Sequence, residues 1–215
     1  LSIRRQRQMC IRDRYYKPLE IGDRLIVVPE WEETDLNGRV PLRLDPGLMF
    51  GTGSHATTRM CLEALQSYAL DGKRVLDLGC GSGILGIGAL VLGASSCVGC
   101  DIDPKAPDVV MDNAALNGIG ADRLKVYAGD IIGDAALRRS LGTGYDIVLA
   151  NIVSDVIIPL APLVRPFMAQ NAVFITSGII DGRENDVAAA LRSVGFEIEK
   201  HLHEEEWHCY ICRWA

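Results

Sequence analysis

The 215-residue sequence predicts an α/β domain: a doubly wound, mostly parallel seven-stranded sheet with an antiparallel C-terminal hairpin. Three observations lead there. Strand-like apolar runs alternate with helix-like runs from Lys73 to Val194, which calls for right-handed crossovers and a sheet covered on both faces. A glycine cluster follows the first of these strands, the place where open α/β sheets receive ligands. The last two strand patterns follow each other with no helix between them, so they should pair antiparallel.

The elements read in order as follows. "DRLIVVP" and "RVPLRL" are two short strands bracketing the turn "EETDLNGR". A helical pattern runs from Thr57 to about Ala69. Then come strand "KRVLDLG", a helix over 83–92, strand "SSCVGCDID", a helix over about 108–116 and strand "RLKVYAGD". Strand "YDIVLANI", a helix over about 156–167, strand "NAVFITSG" and a helix over 183–194 continue the alternation, and strands "FEIEKHLH" and "WHCYICRW" close it.

Composition narrows the class. With 48% hydrophobic residues the chain can bury a substantial core, which excludes disorder and fibrous structure. Residues 1–14 hold five Arg against one Asp, whereas the remainder carries 17 basic and 27 acidic residues. That charge break marks 1–14 as a non-native or disordered leader, with a native basic arm as the alternative. No apolar run follows the Arg cluster, so it is not a signal peptide. We therefore divide the chain into the leader, lead-in strands and a linker remnant over 15–50, and a catalytic domain over 51–215. The acidic body argues against direct nucleic-acid binding. Residues 83–100 carry no charge over 18 positions, but five Gly and Ser95-Ser96 divide them into helix, turn and strand, so no membrane span is expected.

Seven Cys without a secretory leader fit a reduced, cytoplasmic setting. The pairs Cys97/Cys100 and Cys209/Cys212 have CxxC spacing but lie in strand text, where residues three apart face opposite ways and cannot share a tetrahedral metal. His201, His203 and His208 fall in "HLHEEEWHC"; alternation there fits a hairpin edge, so the expected metal ligands are none.

The chemistry concentrates in "VLDLGCGSG". Gly79, Gly81 and Gly83 follow an apolar strand and open a helix, so a ligand can touch backbone and the helix start offers free N–H groups. Asp101 ends the next strand 22 residues after Gly79, the spacing at which an acid reaches ribose hydroxyls. Together they predict a nucleoside-containing cofactor. Gly81, Gly83 and Gly86 also satisfy the dinucleotide pattern GxGxxG, but here Gly79 ends the strand and Asp77 precedes a GxGxG loop. No Lys follows the glycines, which excludes a P-loop.

"DLGCGSG" with "GCDIDP" resembles the class I S-adenosylmethionine-dependent methyltransferases, which have a Rossmann-like fold. "LDPGLMFGTGSHATT" and "VLANI" narrow the resemblance to the bacterial ribosomal protein methyltransferases acting on large-subunit protein eleven, the PrmA family. It covers Tyr15 to Trp214, and FGTG-x-H-x-TT is its most specific part. The resemblance implies S-adenosyl-L-methionine as cofactor, methylation of amino groups (lysine side chain or N-terminal amine) and a ribosomal protein as partner. It implies a covering loop that lays Phe50, Gly51, Thr52 and His55 over the cofactor, and contacts from Thr58, Gly79, Asp101 and Asn151. Asp130 in "YAGD" ranks second, and Asp77 and Asp103 flank the site. Capping is the plainer role for Thr57, Thr58 and Asn151, and His55 could be an ordinary loop histidine. Family members carry a separate substrate-gripping domain ahead of the catalytic part, which implies that this chain represents the catalytic part alone. Ser54, Ala56 and Pro107 depart from the family pattern; Pro107 is tolerable in a first helical turn.

A lysine amine with pKa about 10.4 is neutral in only about one molecule per thousand near pH 7.4, a deficit of roughly 4 kcal/mol. Burial beside a sulfonium cation lowers that pKa, and Asn151, at a strand end, can orient the amine through its side-chain carbonyl. Asn151 is the expected catalytic residue, acting by orientation and not as a base. It is followed by Ile152-Val153 in place of Pro-Pro-aromatic, which favours a flexible aliphatic amine. The alternatives are a methyltransferase of another amine or small molecule, and a cofactor-binding module without turnover; a nicotinamide oxidoreductase trails both.

Overall fold

A computed structural model describes residues 17–45 and 55–215. The leader, and Phe50, Gly51 and Thr52 of the expected covering loop, lie outside the described residues. Within them the expected sheet is present: seven strands in the order β6-β5-β4-β7-β8-β10-β9. Here β4 is Arg74–Leu78, β5 Ser96–Asp101, β6 Leu124–Ala128, β7 Tyr145–Asn151, β8 Met168–Ile180, β9 Phe196–Glu204 and β10 Trp207–Trp214. Neighbours pair parallel from β6 to β8, and β10 pairs antiparallel with both β8 and β9.

Period-two alternation builds two cores. Val75, Cys97, Ile147, Leu149, Ile175 and Ile211 turn to one face, under helices α1 (Ala56–Gln66), α2 (Ile84–Val91) and α3 (Ala106–Leu116). Leu76, Cys100, Val148, Ala150, Phe174 and Cys212 turn to the other, under α4 (Ala135–Ser140), α5 (Ser154–Val164) and α6 (Glu184–Ser193). The two CxxC pairs are split between these faces, Cys97 and Cys209 in one core, Cys100 and Cys212 in the other. A strand cannot bring both thiols to one side.

Three features differ from the reading by pattern. Helix α4 was not anticipated, although Asp134 caps it by accepting from the N–H groups of Ala136 (2.7 Å) and Leu137 (3.0 Å). The helix after β7 begins earlier, at Ser154, and tightens into a 3-10 turn over Arg165–Phe167, where Pro166 cannot extend the α-helical ladder. Ahead of the main sheet stands a smaller one, β1 (Leu19–Ile21), β2 (Leu25–Pro29) and β3 (Val40–Leu44), of which β1 was not foreseen. β2 and β3 pair parallel, so residues 30–39 form a crossover and not a hairpin turn. Pro107 sits in the first turn of α3, where its missing N–H has no helical partner to lose.

Two asparagines one turn apart, Asn113 in α3 and Asn117 at its C-cap, fasten β3 beside the glycine loop. Asn117 accepts from Arg43 N–H (2.8 Å) and donates to Arg43 O (2.8 Å), completing the edge of β3. Fully buried Asn113 accepts from Asp45 N–H (3.0 Å) and donates to Ser82 O (2.9 Å). A buried side chain that satisfies two backbone groups fixes both segments, since losing it would strand each at about 1–3 kcal/mol. No helix among the described residues is long and apolar enough to cross a membrane.

Candidate active site

The chain runs from β4 outward through β5 to β6, then returns to the other side of β4 as β7. That reversal opens a crevice beyond the carboxyl ends of the strands. A cleft of about 440 Å³ lies there, and the strand ends deliver Gly79, Asp101, Asp130 and Asn151 to it.

The glycine loop forms one wall. Gly79 takes φ of 73°, and a Cβ built on it would lie 2.2 Å from Cγ2 of Ile152, so both backbone and space demand glycine. Its N–H donates to Cys100 O at 2.7 Å. Gly81 N–H donates to Oδ2 of Asp101 (2.8 Å) while Asp103 N–H donates to Oδ1 (2.9 Å), so the acid is aimed by backbone from two sides. Gly83, at φ of 80°, opens α2 without a side-chain cap. Beneath the loop, buried Asp77 accepts from Gly86 N–H (2.9 Å). Burial pushes its carboxyl up to about 7; the Gly86 bond opposes this and the Asp101 charge adds to it. Burial, with Asp101 and Asp130 nearby, pushes the Cys100 thiol up to about 12, so it stays protonated and is no nucleophile.

The opposite wall comes from β7 and α1. Asn151 ends β7, and its Nδ2 donates to Oγ1 of Thr58 at 3.3 Å. Thr58 is fully buried behind it. Asn151 does not cap α5, whose cap position is Val153 with no side-chain bond. Nor do Thr57 and Thr58 cap α1: His55 does, its Nδ1 accepting from Thr57 N–H at 3.4 Å. The His55 ring also meets Trp207 edge-on, centroids 4.9 Å apart, and both line the cleft.

Of the residues expected from sequence, His55, Gly79, Asp101, Asp130 and Asn151 meet at the cleft. Gly81, Gly83 and Thr58 do not line the cleft: Gly81 bonds Asp101, Thr58 bonds Asn151, and Gly83 opens α2. Sequence reasoning missed Trp207 and the apolar lining, Ile102, Ile131, Ile132, Val153 and Val156. Ile102 and Val153, 74% and 60% exposed, follow Asp101 directly and Asn151 by two positions, so a strand-end rule extended slightly would have found them. Trp207 arrives from a hairpin more than fifty residues further along the chain, and no local signal announces it. Neither Lys nor Arg lines the cleft among the described residues, and residues 46–54 contain none.

Comparisons with known proteins point to one family. A family model described as ribosomal protein L11 methyltransferase (PrmA) matches residues 11–214. A ribosomal protein L11 methyltransferase of Lachnospira eligens is 47% identical over 197 residues, covering 90% of this chain and 62% of that protein. One of Agathobacter rectalis is 41% identical over 200 residues, with the same two coverages. The chain thus spans 62% of the length of these curated relatives. The crystal structure of a ribosomal protein L11 methylase from Lactobacillus delbrueckii subsp. bulgaricus superposes with a TM-score of 0.83 at 28% identity, covering 93% of this chain and 99% of that one. The chain belongs to the ribosomal protein L11 methyltransferase family.

Proposed function

We propose that this chain is the cofactor-binding and methyl-transferring part of an enzyme that methylates amino groups of ribosomal protein L11 in the cytoplasm, with S-adenosylmethionine as donor. The observation that carries the reading is the cleft itself: a glycine-walled crevice with two carboxylates at strand ends and, among the described residues, no Lys or Arg in its lining. The two carboxylates suit a nucleoside that bears positive charge and repel the pyrophosphate of a dinucleotide. The cofactor fits the residues present. Asp101 spends one acceptor position of each oxygen on the loop and, with about four such positions in all, keeps capacity for a ribose diol. Asp130, anchored by Ile132 N–H at 2.9 Å, would accept from an amino group of the base, and Ile102 and Ile132 add apolar surface to the same lining.

S-adenosylmethionine, when bound, supplies an electrophilic methyl group on a sulfonium sulfur. The protein's part is to present a neutral amine in line with it. Val153, Val156 and Ile152 make that entrance apolar, which disfavours the ammonium form. Asn151 has its amide nitrogen tied to Thr58, so its carbonyl oxygen is the end left for the incoming amine. An acceptor held this way orients the nitrogen lone pair without needing to be a base.

Titration calorimetry with S-adenosylmethionine and, separately, with NAD tests the cofactor assignment: saturable binding of the first alone is expected, and binding of NAD alone would overturn it. Mass spectrometry of L11 incubated with chain and cofactor then reads methylation in steps of one methyl mass. A second reading, cofactor binding without turnover, rests on the chain's spanning 62% of its relatives; it predicts binding with no mass gain.

A further inference from the structure

At the opposite edge of the sheet a second polar cluster forms, outside the cleft. His203 of β9 and His208 of β10 are direct cross-strand partners, so their side chains leave the hairpin on the same face. Their rings stack 4.3 Å apart at 11°. Asp181, in the turn after β8, is held there by its N–H donating to Glu206 O (2.9 Å). Its Oδ1 receives both imidazoles, with Nε2 of His208 at 2.8 Å and Nε2 of His203 at 3.3 Å. Glu184 opens α6 beside them. Its Oε1 accepts from Asn185 (3.0 Å), but Oε2 is buried with no hydrogen-bond partner, 4.0 Å from Nε2 of His208.

We propose that Asp181, His203 and His208, with Glu184 as a fourth donor, form a binding site for a divalent transition-metal ion, zinc in the first instance. Two imidazole nitrogens and a carboxylate oxygen lie within 4.8 Å of one another. Zinc bonds of about 2.0–2.2 Å put tetrahedral donors about 3.3–3.5 Å apart, so the Asp181–His203 spacing already fits and the Asp181–His208 spacing must open by about half an ångström. Charge fits as well: two carboxylates balance a dication, and neutral imidazoles complete the set without adding charge. The orphaned Glu184 oxygen gains a partner. Behind the site, Nδ1 of His208 lies 2.8 Å from Nε2 of His201, the outer contact that fixes which nitrogen faces a metal. The ion would join the turn after β8 to β9, β10 and α6, and so brace the hairpin in which the first residue of β10, Trp207, reaches the cleft.

The test is calorimetric titration of zinc chloride into the tag-free, chelator-treated chain, with magnesium chloride as the hard-cation control. Saturable binding of one zinc per chain is expected, with magnesium silent. Cobalt(II) substitution should give the intense visible absorption of a tetrahedral nitrogen–oxygen sphere. His203 is half-exposed on the edge strand, so His203→Ala should leave the metal-free melting temperature unchanged. It should lower zinc affinity more than about 100-fold, beyond the 10–100-fold typical of an outer partner. Asp181→Asn should do the same. Absence of saturable zinc binding by the folded wild-type chain would overturn the proposal, as would unchanged affinity in both variants.

Discussion

Two regions of this molecule each gather two carboxylates, and they differ in what holds them. In the cleft, Asp101 and Asp130 are aimed by backbone N–H groups of Gly81, Asp103 and Ile132. At the sheet edge, Asp181 and Glu184 face the imidazoles of His203 and His208. Backbone donors orient a carboxylate and leave acceptor positions over, in a cleft wide enough for an organic ligand. At the edge two imidazoles converge on one oxygen, at spacings that suit an ion. The same acid therefore serves different partners according to whether its second neighbour is a void or a ring.

The sharpest way to break this comparison is to remove one acid at a time. Asp101→Ala deletes the expected ribose acceptor and the anchor of Gly81, so S-adenosylmethionine affinity measured by calorimetry should fall at least about 100-fold, the loss expected from two charge-assisted hydrogen bonds. Zinc binding at the far edge should be untouched. Equal loss at both sites would mean that the substitution unfolds the sheet, and unchanged cofactor affinity would remove Asp101 from the site.

A smaller and more selective effect is expected at Asn151. Asn151→Ala should lower kcat for L11 methylation about 100-fold, the scale of lost orientation, while cofactor affinity changes by no more than about threefold. Equal losses in both quantities would make Asn151 a cofactor ligand and not an orienter of the amine.

The smallest effect concerns stability and pH. Asp77 and Asp134 both accept backbone N–H groups at a helix start, yet burial pushes Asp77 up to about 7 whereas two N–H bonds hold exposed Asp134 below the usual carboxylate range. Folded Asp77 keeps its proton to about pH 7, and an unfolded aspartate releases it near about pH 4. Its contribution to stability is thus present below about pH 4 and drains away as pH rises through 7, by at most about 4 kcal/mol. Asp77→Asn should flatten that fall in denaturant titrations across this window. A slope identical to wild type would show that Asp77 is ionised throughout.

Much of the cleft could be read from sequence because its parts sit at strand ends and recur at regular intervals. Gly79, Asp101, Asp130 and Asn151 each close a strand pattern, and a parallel sheet brings such ends to one side. The edge cluster was equally visible as His201, His203 and His208, but the hairpin reading alone offered no fourth partner. Asp181 and Glu184 come from a turn and a helix start about twenty residues earlier, and nothing local ties them to the hairpin. Helix α4 escaped for a different reason: six residues are too few to show a period, and only Asp134 announced it.

Sequence by itself determined the alternation of strand and helix, the two-faced core, the glycine loop and the acids that follow it. Those depend on periodicity, turn chemistry and short spacings, which are properties of neighbouring residues. Tertiary structure alone decided that β2 and β3 run parallel, that Thr58 stands behind Asn151, that His55 both caps α1 and meets Trp207, and that two histidines converge on Asp181. Each of these joins segments whose local patterns are independent of one another, so only the packing of the whole sheet could select the pairing.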